Sequence, residues 1–301
     1  MEKTCIVIVG PTASGKTALA IEVAQHFNTE IISADSRQCF KELNIGVAKP
    51  DEIQLTSVHH HFINSHNITD NISAADFENY ALNAINKIFE KKNVAVMVGG
   101  TGLYIKAFTE GLDAIPPIDN KIKKGIADAY QEHGLVWLQN KIKEIDCLFW
   151  DKGEINNPHR LLRAVEVFMT TGISIIAQQK KIKKSRPFKI LKVGIEIERQ
   201  VLYDRINSRV NIMQQQGLEK EAALLLPHKA LNALQTVGYR ELFNFFEDKI
   251  TREKAFELIK QNSRHYAKRQ VTWFKKDEEI VWLQQHKIVS YLKNKLHINS
   301  H

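Results

Sequence analysis

The chain is expected to fold as an α/β protein, with a parallel sheet core, an inserted all-helical domain and a helical C-terminal region. Three features of its 301 residues predict this. The apolar run Cys5–Gly10 leads into Gly10–Thr17, which matches the phosphate-loop pattern G-x4-G-K-[ST]. Strand-length apolar runs then alternate with stretches of helical periodicity, as in parallel strands joined by crossover helices. That alternation stops after Gly111 and resumes at Lys189, so a block of different character splits the core.

Cys5–Gly10 is continuously apolar and rich in β-branched residues, the pattern of a strand buried on both faces. Gly10, Pro11, Thr12, Ala13, Ser14, Gly15, Lys16 and Thr17 then sit between a strand and a helix, the context the motif requires. Glycines let backbone N–H groups point into such a loop, and the following helix adds its positive end. Lys16 supplies a mobile charge and Thr17 a hydroxyl for Mg²⁺. These eight residues are the candidate diphosphate or nucleotide grip and make the core P-loop NTPase-like. Thr29–Asp35 reads as a second buried strand that ends in a carboxylate. Ser73–Lys92 is an amphipathic helix, with Ser73 as N-cap and Asp76 three residues on. Asn93–Phe108 repeats the opening design of strand, glycine turn and helix.

The paired prolines of Leu112–Asn120 mark a boundary. Ile118–Ala177 is helical in period, with no convincing strand. The core is therefore expected over 1–115 and 186–301, and the helical domain over 116–185. Gln178–Lys189 carries six basic residues and no acidic ones; it is either a phosphate-facing segment or an exposed connector. Lys189–Glu198 returns as a strand, and the rest of the chain reads as largely helical. The tail His286–His301 offers no identifiable chemistry.

Composition narrows the function classes. The net charge of +8 points either to an anionic partner or to a merely basic protein. Cys5, Cys39 and Cys147 lie far apart with no CxxC pair, which argues against a disulfide framework or a zinc site and fits a reducing cytoplasm. The N-terminal apolar run is too short for a signal segment, and no stretch reaches 18 apolar residues. The protein is expected to be cytoplasmic, to work as a monomer and to avoid membranes.

The chemistry turns on what is missing. In many P-loop NTPases a later strand ends in an aspartate that helps hold Mg²⁺. Here Val94–Val98 ends in Gly99-Gly100-Thr101-Gly102. Two glycine turns at adjacent strand ends can surround a diphosphate; the plainer reading is a tight strand-to-helix turn. The available carboxylate is Asp35, at a strand end where such sheets bind ligands. It can hold metal, accept a proton or cap the next helix. Arg37 and Gln38 are suited to a phosphate or a base edge. His59, His60 and His61 are adjacent, so they cannot all point to one site on regular structure, and zinc is not expected there. Lys260, Arg264 and Lys268 are spaced by four on one helix face; Arg269 and Trp273 share another. Thr251–Lys276 holds eight Lys/Arg against two Glu, with Tyr266 and Trp273 interleaved. That suits an RNA backbone and stacked bases, although an aromatic at this spacing is as readily core.

Seven motifs occur in order: Gly10–Thr17, Ser33–Gln38, the histidine run with the helix up to Phe77, Gly99–Tyr104, Asn157–Phe168, Gln235–Leu242 and Arg264–Phe274. Together they resemble the tRNA dimethylallyltransferase family, also called tRNA isopentenyltransferase, over roughly Ile6–Phe274. The resemblance implies a P-loop-type core with a helical insertion. It also implies transfer of a dimethylallyl group from dimethylallyl diphosphate to N6 of adenosine 37, beside the anticodon of tRNAs that read codons beginning with U. Mg²⁺ would be required, and the partner is a tRNA anticodon stem-loop. By the same resemblance Asp35 and Thr101 are catalytic: Asp35 takes the proton of the adenine amine, and Thr101 helps stabilise the departing diphosphate. Asp35, Ser36, Arg37, Gln38 and Thr101 would meet the target base and its neighbours. His159, Arg160, Leu161, Leu162 and Arg163 match an RNA-binding stretch, with His159 where the family has Gln, and Lys123 matches a basic contact. Arg264, Lys268 and Arg269 are expected on the RNA face of the C-terminal helix. Arg160 and Arg163 would otherwise be an ordinary solvated helix face. The histidine run is expected to have a positioning role. A small-molecule nucleotide kinase, an enzyme acting on free AMP and a non-catalytic RNA binder are the competing readings. Gly99–Tyr104, the basic helical half, and Asp35 with Thr101 weigh against them.

Overall fold

The computed structural model describes residues 2–113, 115–179 and 182–297. Lys180 and Lys181 of the basic stretch, and residues 298–301 of the tail, lie outside the described residues. Six parallel strands form one sheet: β1 Thr4–Val9, β2 Ile31–Ala34, β3 His60–His61, β4 Val94–Gly99, β5 Lys189–Glu196 and β6 Val281–Gln284, in the order β3-β2-β4-β1-β5-β6. The helices are α1 Lys16–His26, α2 Glu52–Ser57, α3 Ala74–Phe89, α4 Gly102–Glu110, α5 Asn120–Ile145, α6 Cys147–Lys152, α7 Pro158–Thr171, α8 Ile175–Gln178, α9 Arg199–Gln216, α10 Leu218–Leu225, α11 Tyr239–Phe246, α12 Arg252–Phe274 and α13 Gln285–His297. The two outer strands correct the sequence reading. β3 is only two residues long, and β6 is a four-residue edge strand in a region expected to be helical. β3 has no apolar run, and the run at β6, residues 280–283, is only four residues long, the lower limit for a strand.

Alternation along the strands builds a core on each face of the sheet. Cys5, Val7 and Val9 of β1 join Phe77, Ile85 and Phe108 of α3 and α4 and a set from α10, α11 and α12. Ile6 and Ile8 face the other way, onto Leu19 and Val23 of α1 and Ile288 and Leu292 of α13. The described part of the tail that offered no chemistry thus lies in the helix that closes this second face. The expected cap of α3 forms a reciprocal box. Ser73 Oγ accepts from the Asp76 N–H at 3.2 Å, and Asp76 Oδ2 accepts from the Ser73 N–H at 2.9 Å.

The chain divides into two compact units, Met1–Thr109 with Ser185–His301, and Glu110–Lys184. The cuts fall slightly before the prolines and within the basic stretch. The Lys184 N–H donates to the Glu110 carbonyl at 2.7 Å, and Lys183 pairs with Glu110 at 3.2 Å, so the second unit closes on itself at its two ends. That unit is helical, α5 to α8, around Ile126, Leu138, Ile142, Leu161 and Val165. Asp119 caps α5, Asp146 caps α6 and Asn157 caps α7, with Pro158 at the first helical position. Among the described residues no helix is long and apolar enough to cross a membrane.

Arg186, which the sequence grouped with the basic stretch, is a core residue. Its side chain is buried, with Nη2 2.8 Å from Glu78 Oε1 and from the Ala107 carbonyl, and Nε 2.7 Å from the Phe108 carbonyl. It fixes the chain's re-entry into the first unit where α4 ends. Removing one partner of a buried pair strands the other charge. Arg186→Ala is therefore expected to lower unfolding free energy by about 3–5 kcal/mol in urea titration. The double change Arg186→Met with Glu78→Gln is expected to recover part of that loss.

Candidate active site

The strand register assembles the site. Val9 of β1 and Ala34 of β2 both pair with Gly99 of β4. The next residues, Gly10, Asp35 and Gly100, therefore leave the sheet side by side at its carboxyl edge. A cleft of about 1320 Å³ opens above them, and Lys16, Thr17, Asp35, Gly100, Arg209 and Gln270 all reach it.

The first wall is the phosphate loop. Gly15 caps α1 with φ +90°, a left-handed conformation that favours glycine and frees the backbone to curl. Lys16 Nζ donates to the Pro11 carbonyl at 2.5 Å across the loop. Burial, reinforced by the neighbouring Arg209 charge and opposed by Asp35, lowers the Lys16 pKa to about 7. Ser14 Oγ is buried inside the loop with no hydrogen-bond partner. A buried hydroxyl without a partner is rare, and one just before the amino end of α1 suits an anionic guest.

Two residues that the sequence reading did not single out hold this wall. Gln270 of α12 is buried; its Oε1 accepts from the Thr12 N–H at 2.8 Å, and its Nε2 donates to the Gly100 carbonyl at 2.9 Å. One side chain thus fastens the phosphate loop to the second glycine turn. It also explains Gly100: a Cβ there would lie 2.2 Å from Gln270 Nε2. Arg209 of α9 donates to Thr12 Oγ1 at 3.3 Å and brings a second cation to the loop. Gln270 lay inside a recognised motif without a stated task. Arg209 had one signal, its spacing of four from Arg205, which also lines the cleft.

Asp35 stands opposite. Its Oδ1 accepts from the Arg37 N–H at 2.8 Å and the Gln38 N–H at 3.2 Å, so the carboxylate caps the turn over residues 36–39; no helix follows it there for it to cap. It lines the cleft as well. Thr101 Oγ1 accepts from the Ser36 N–H at 3.1 Å and lies 3.4 Å from Ser36 Oγ. Its hydroxyl therefore braces the segment that carries Asp35, while Gly99 and Gly100 meet the cleft. Gln38 Nε2 donates to the Val47 and Ala48 carbonyls at 3.2 and 3.1 Å, and the Arg37 guanidinium holds the Asn232 carbonyl at 2.8 Å. Gln38 thus anchors a loop that lines the cleft and Arg37 a loop outside its lining, tasks the sequence did not suggest.

On α12, Lys268 and Arg269 are exposed, while Arg264 is half-buried and donates to Asn207 Oδ1 at 2.6 Å. The aromatic residues are not core: Tyr266 is 38% and Trp273 40% exposed, Trp273 lying against Gly102. In the helical unit, Lys123, His159 and Arg160 are exposed. Arg160 pairs with Glu154, and Arg163 with Glu166 at 3.3 Å. Leu161 corrects the expected RNA-binding stretch. It is fully buried in the helical core, and Leu162 packs on the same cluster, so these side chains hold the stretch in place. The histidine run splits by strand alternation: His60 turns its Nδ1 to the Val58 carbonyl at 2.7 Å, and His61 Nε2 meets Glu30 Oε2 at 2.6 Å.

Residues 38–277 match the family model described as IPP transferase. The chain belongs to the IPP transferase family. A tRNA dimethylallyltransferase of Christiangramia forsetii is 47% identical over 98% of this chain and 99% of its own length. A tRNA isopentenylpyrophosphate transferase of Bacillus halodurans, known from its crystal structure, is 32% identical with a TM-score of 0.73, covering 99% of this chain and 98% of that one. A eukaryotic dimethylallyltransferase, described as acting on tRNA, reaches a TM-score of 0.78 at 25% identity over 94% of this chain and 74% of that one. The fold, with its P-loop-like core, is therefore shared with these solved relatives.

Two outcomes follow from the geometry of this wall. Gln270→Leu leaves the Thr12 N–H and the Gly100 carbonyl without their partner. At about 1–3 kcal/mol for one such group, it is expected to weaken binding of inorganic diphosphate by roughly 5- to 150-fold in calorimetry. The Lys16 pKa lies below its ordinary 10.5, so between about 7 and that value the free loop holds Lys16 largely neutral. Unfolding restores the proton, so this group makes the free protein more stable as pH rises through that window. An anion restores the charge without unfolding. At pH 8, wild-type protein is therefore expected to take up more protons on binding diphosphate than Lys16→Met does, measured by calorimetry in buffers of different ionisation enthalpy.

Proposed function

We propose that the protein transfers a dimethylallyl group from dimethylallyl diphosphate to N6 of adenosine 37 in tRNAs reading codons that begin with U. The observation that carries this reading is the pairing of a cationic phosphate loop with a carboxylate across one cleft. The intervening strand ends in glycine instead of the acid that phosphoryl-transfer enzymes place there. Family membership supports the same reading.

The chemistry required is an alkyl transfer. A bond forms between N6 of the adenine and the first carbon of the dimethylallyl group. The bond from that carbon to the bridging oxygen breaks, and its electron pair leaves with diphosphate. Loop N–H groups, Lys16 and Arg209 stabilise the charge that builds on that oxygen. The exocyclic amine is a weak nucleophile because its lone pair is delocalised into the ring. Asp35 is assigned as the group that accepts its proton as the new bond forms. The Arg37 and Gln38 N–H groups both bond Oδ1 of Asp35, so its orientation is fixed through one oxygen while the other is assigned to the substrate. Thr101 keeps that segment in place through Ser36.

One oxygen donor of the kind Mg²⁺ prefers lines the cleft at the phosphate loop, the Thr17 hydroxyl, while Asp35 is kept for the substrate amine. Such an ion usually takes only one or two protein ligands beside phosphate oxygens, so this single donor fits it. When bound it would neutralise part of the diphosphate charge. The adenine must leave the anticodon-loop stack to reach Asp35. Exposed Lys268, Arg269, Tyr266 and Trp273 are assigned to the RNA backbone and bases around it.

The direct test incubates the protein with dimethylallyl diphosphate, Mg²⁺ and unmodified tRNA, followed by nucleoside mass analysis, with ATP and AMP as alternative substrates in parallel. Prenylated adenosine confined to position 37 is expected; a phosphorylated nucleotide product, or prenylated AMP alone, would overturn the reading. Asp35→Ala is expected to lower turnover at least about 100-fold with tRNA affinity largely retained. Unchanged turnover would remove Asp35 from the mechanism.

A further inference from the structure

Three adjacent histidines argue against a metal site when read as a string. The pairing of β2 with β3 changes the geometry. Side chains alternate along extended backbone, so His59 and His61 fall on one side and His60 on the other. The Ile31 N–H donates to the His59 carbonyl at 2.9 Å, and Ile31 pairs with His60. Glu30, just before β2, is thereby set beside the two outer histidines. The His59 and His61 rings meet edge-on with centroids 4.5 Å apart. One ligand atom from each of Glu30, His59 and His61 lies within 4.8 Å of the others.

We propose that Glu30, His59 and His61 form a zinc-binding site at the outer edge of the sheet. Two imidazoles and one carboxylate are the donor set of three-ligand zinc sites, which leave a fourth position for water. Nitrogen donors suit Zn²⁺ over Mg²⁺, which prefers oxygen, so this site is chemically distinct from the Mg²⁺ position assigned in the cleft. A zinc shell with bonds of about 2.0–2.1 Å needs its donors closer together than the widest present spacing. His59 is exposed and Glu30 only half-buried, so side-chain rotation supplies that movement.

The location gives the site a structural task. Glu30 is at the amino end of β2, and Asp35 follows its carboxyl end, so the ion would sit at the end of β2 remote from the cleft. β3 is two residues long, and the segment after it supports the cleft wall. The Asn64 N–H donates to the Gln38 carbonyl at 3.3 Å, the Lys41 N–H to the His66 carbonyl at 2.8 Å, and Lys49 Nζ to Asn64 Oδ1 at 2.6 Å. An ion joining Glu30 to His59 and His61 clips the loop between β2 and β3 and holds this short edge strand in register.

The test uses untagged, chelator-stripped protein in Mg²⁺ buffer, titrated with Zn²⁺ alone by calorimetry and followed by thermal melting. The site predicts one Zn²⁺ per chain and a raised melting temperature, because the ion binds the native state. It also predicts affinity at least about tenfold lower in His59→Ala and in Glu30→Gln, the scale of loss from disturbing a zinc coordination set. Circular dichroism checks the fold of each variant; His59 is exposed, so His59→Ala decides the matter if Glu30→Gln disturbs β2. Absence of Zn²⁺ binding overturns the proposal. So does binding of equal affinity in wild type and His59→Ala, which would place the ion among other histidines.

Discussion

The site depends on the register of three parallel strands. β4 lies between β1 and β2 and pairs with both, and Gly99 is opposite Val9 on one side and Ala34 on the other. That alignment sets where Gly10, Gly100 and Asp35 leave the sheet. A slip of one residue in either pairing would turn every side chain of the slipped strand to the other face of the core. The two apolar clusters therefore hold the register: Cys5, Val7 and Val9 cannot exchange places with Ile6 and Ile8 without emptying both. The chemistry at the edge is fixed by packing well below it.

Electrostatics then divides the cleft. Lys16 and Arg209 gather at the phosphate loop, and each is harder to keep charged because it is buried there. A bound diphosphate relieves that cost, so the free loop is prepared for an anion that it does not yet hold. Asp35 offsets Lys16 from across the gap. Gln270 makes the arrangement rigid without adding charge, since an amide can donate to Gly100 and accept from Thr12 at once. No carboxylate or ammonium could satisfy both partners. Because Gln270 lies on the helix that displays Lys268 and Arg269, the donor grip and the basic helix are parts of one framework.

Features with a local cause were legible in the sequence. Gly10–Thr17 declares its loop, Ser73 with Asp76 its cap, and the strand Ile31–Ala34 its terminal carboxylate, because each is set by residues a few positions apart. The features that escaped are spatial. Gln270 reaches Thr12, and Arg209 the same residue, across most of the chain, and no periodicity records such contacts. Leu161 sits inside a basic motif, and only packing reveals that it faces the helical core. β6 is hard to read because it is a short edge strand, three residues half-buried and one exposed, whose apolar run is at the lower limit of strand length. The histidine run divides only in space: pairing with β2 turns His60 away from its two neighbours and sets Glu30 beside them.

The central claim is that the phosphate loop grips a group that is discarded, while carbon goes to the acceptor. The most direct measurement uses dimethylallyl diphosphate carrying heavy oxygen at the bridge between carbon and phosphorus, with tRNA as acceptor and mass analysis of both products. The account predicts that all the heavy oxygen leaves in diphosphate and that the RNA gains a single five-carbon group. Heavy oxygen or phosphate on the RNA would contradict it.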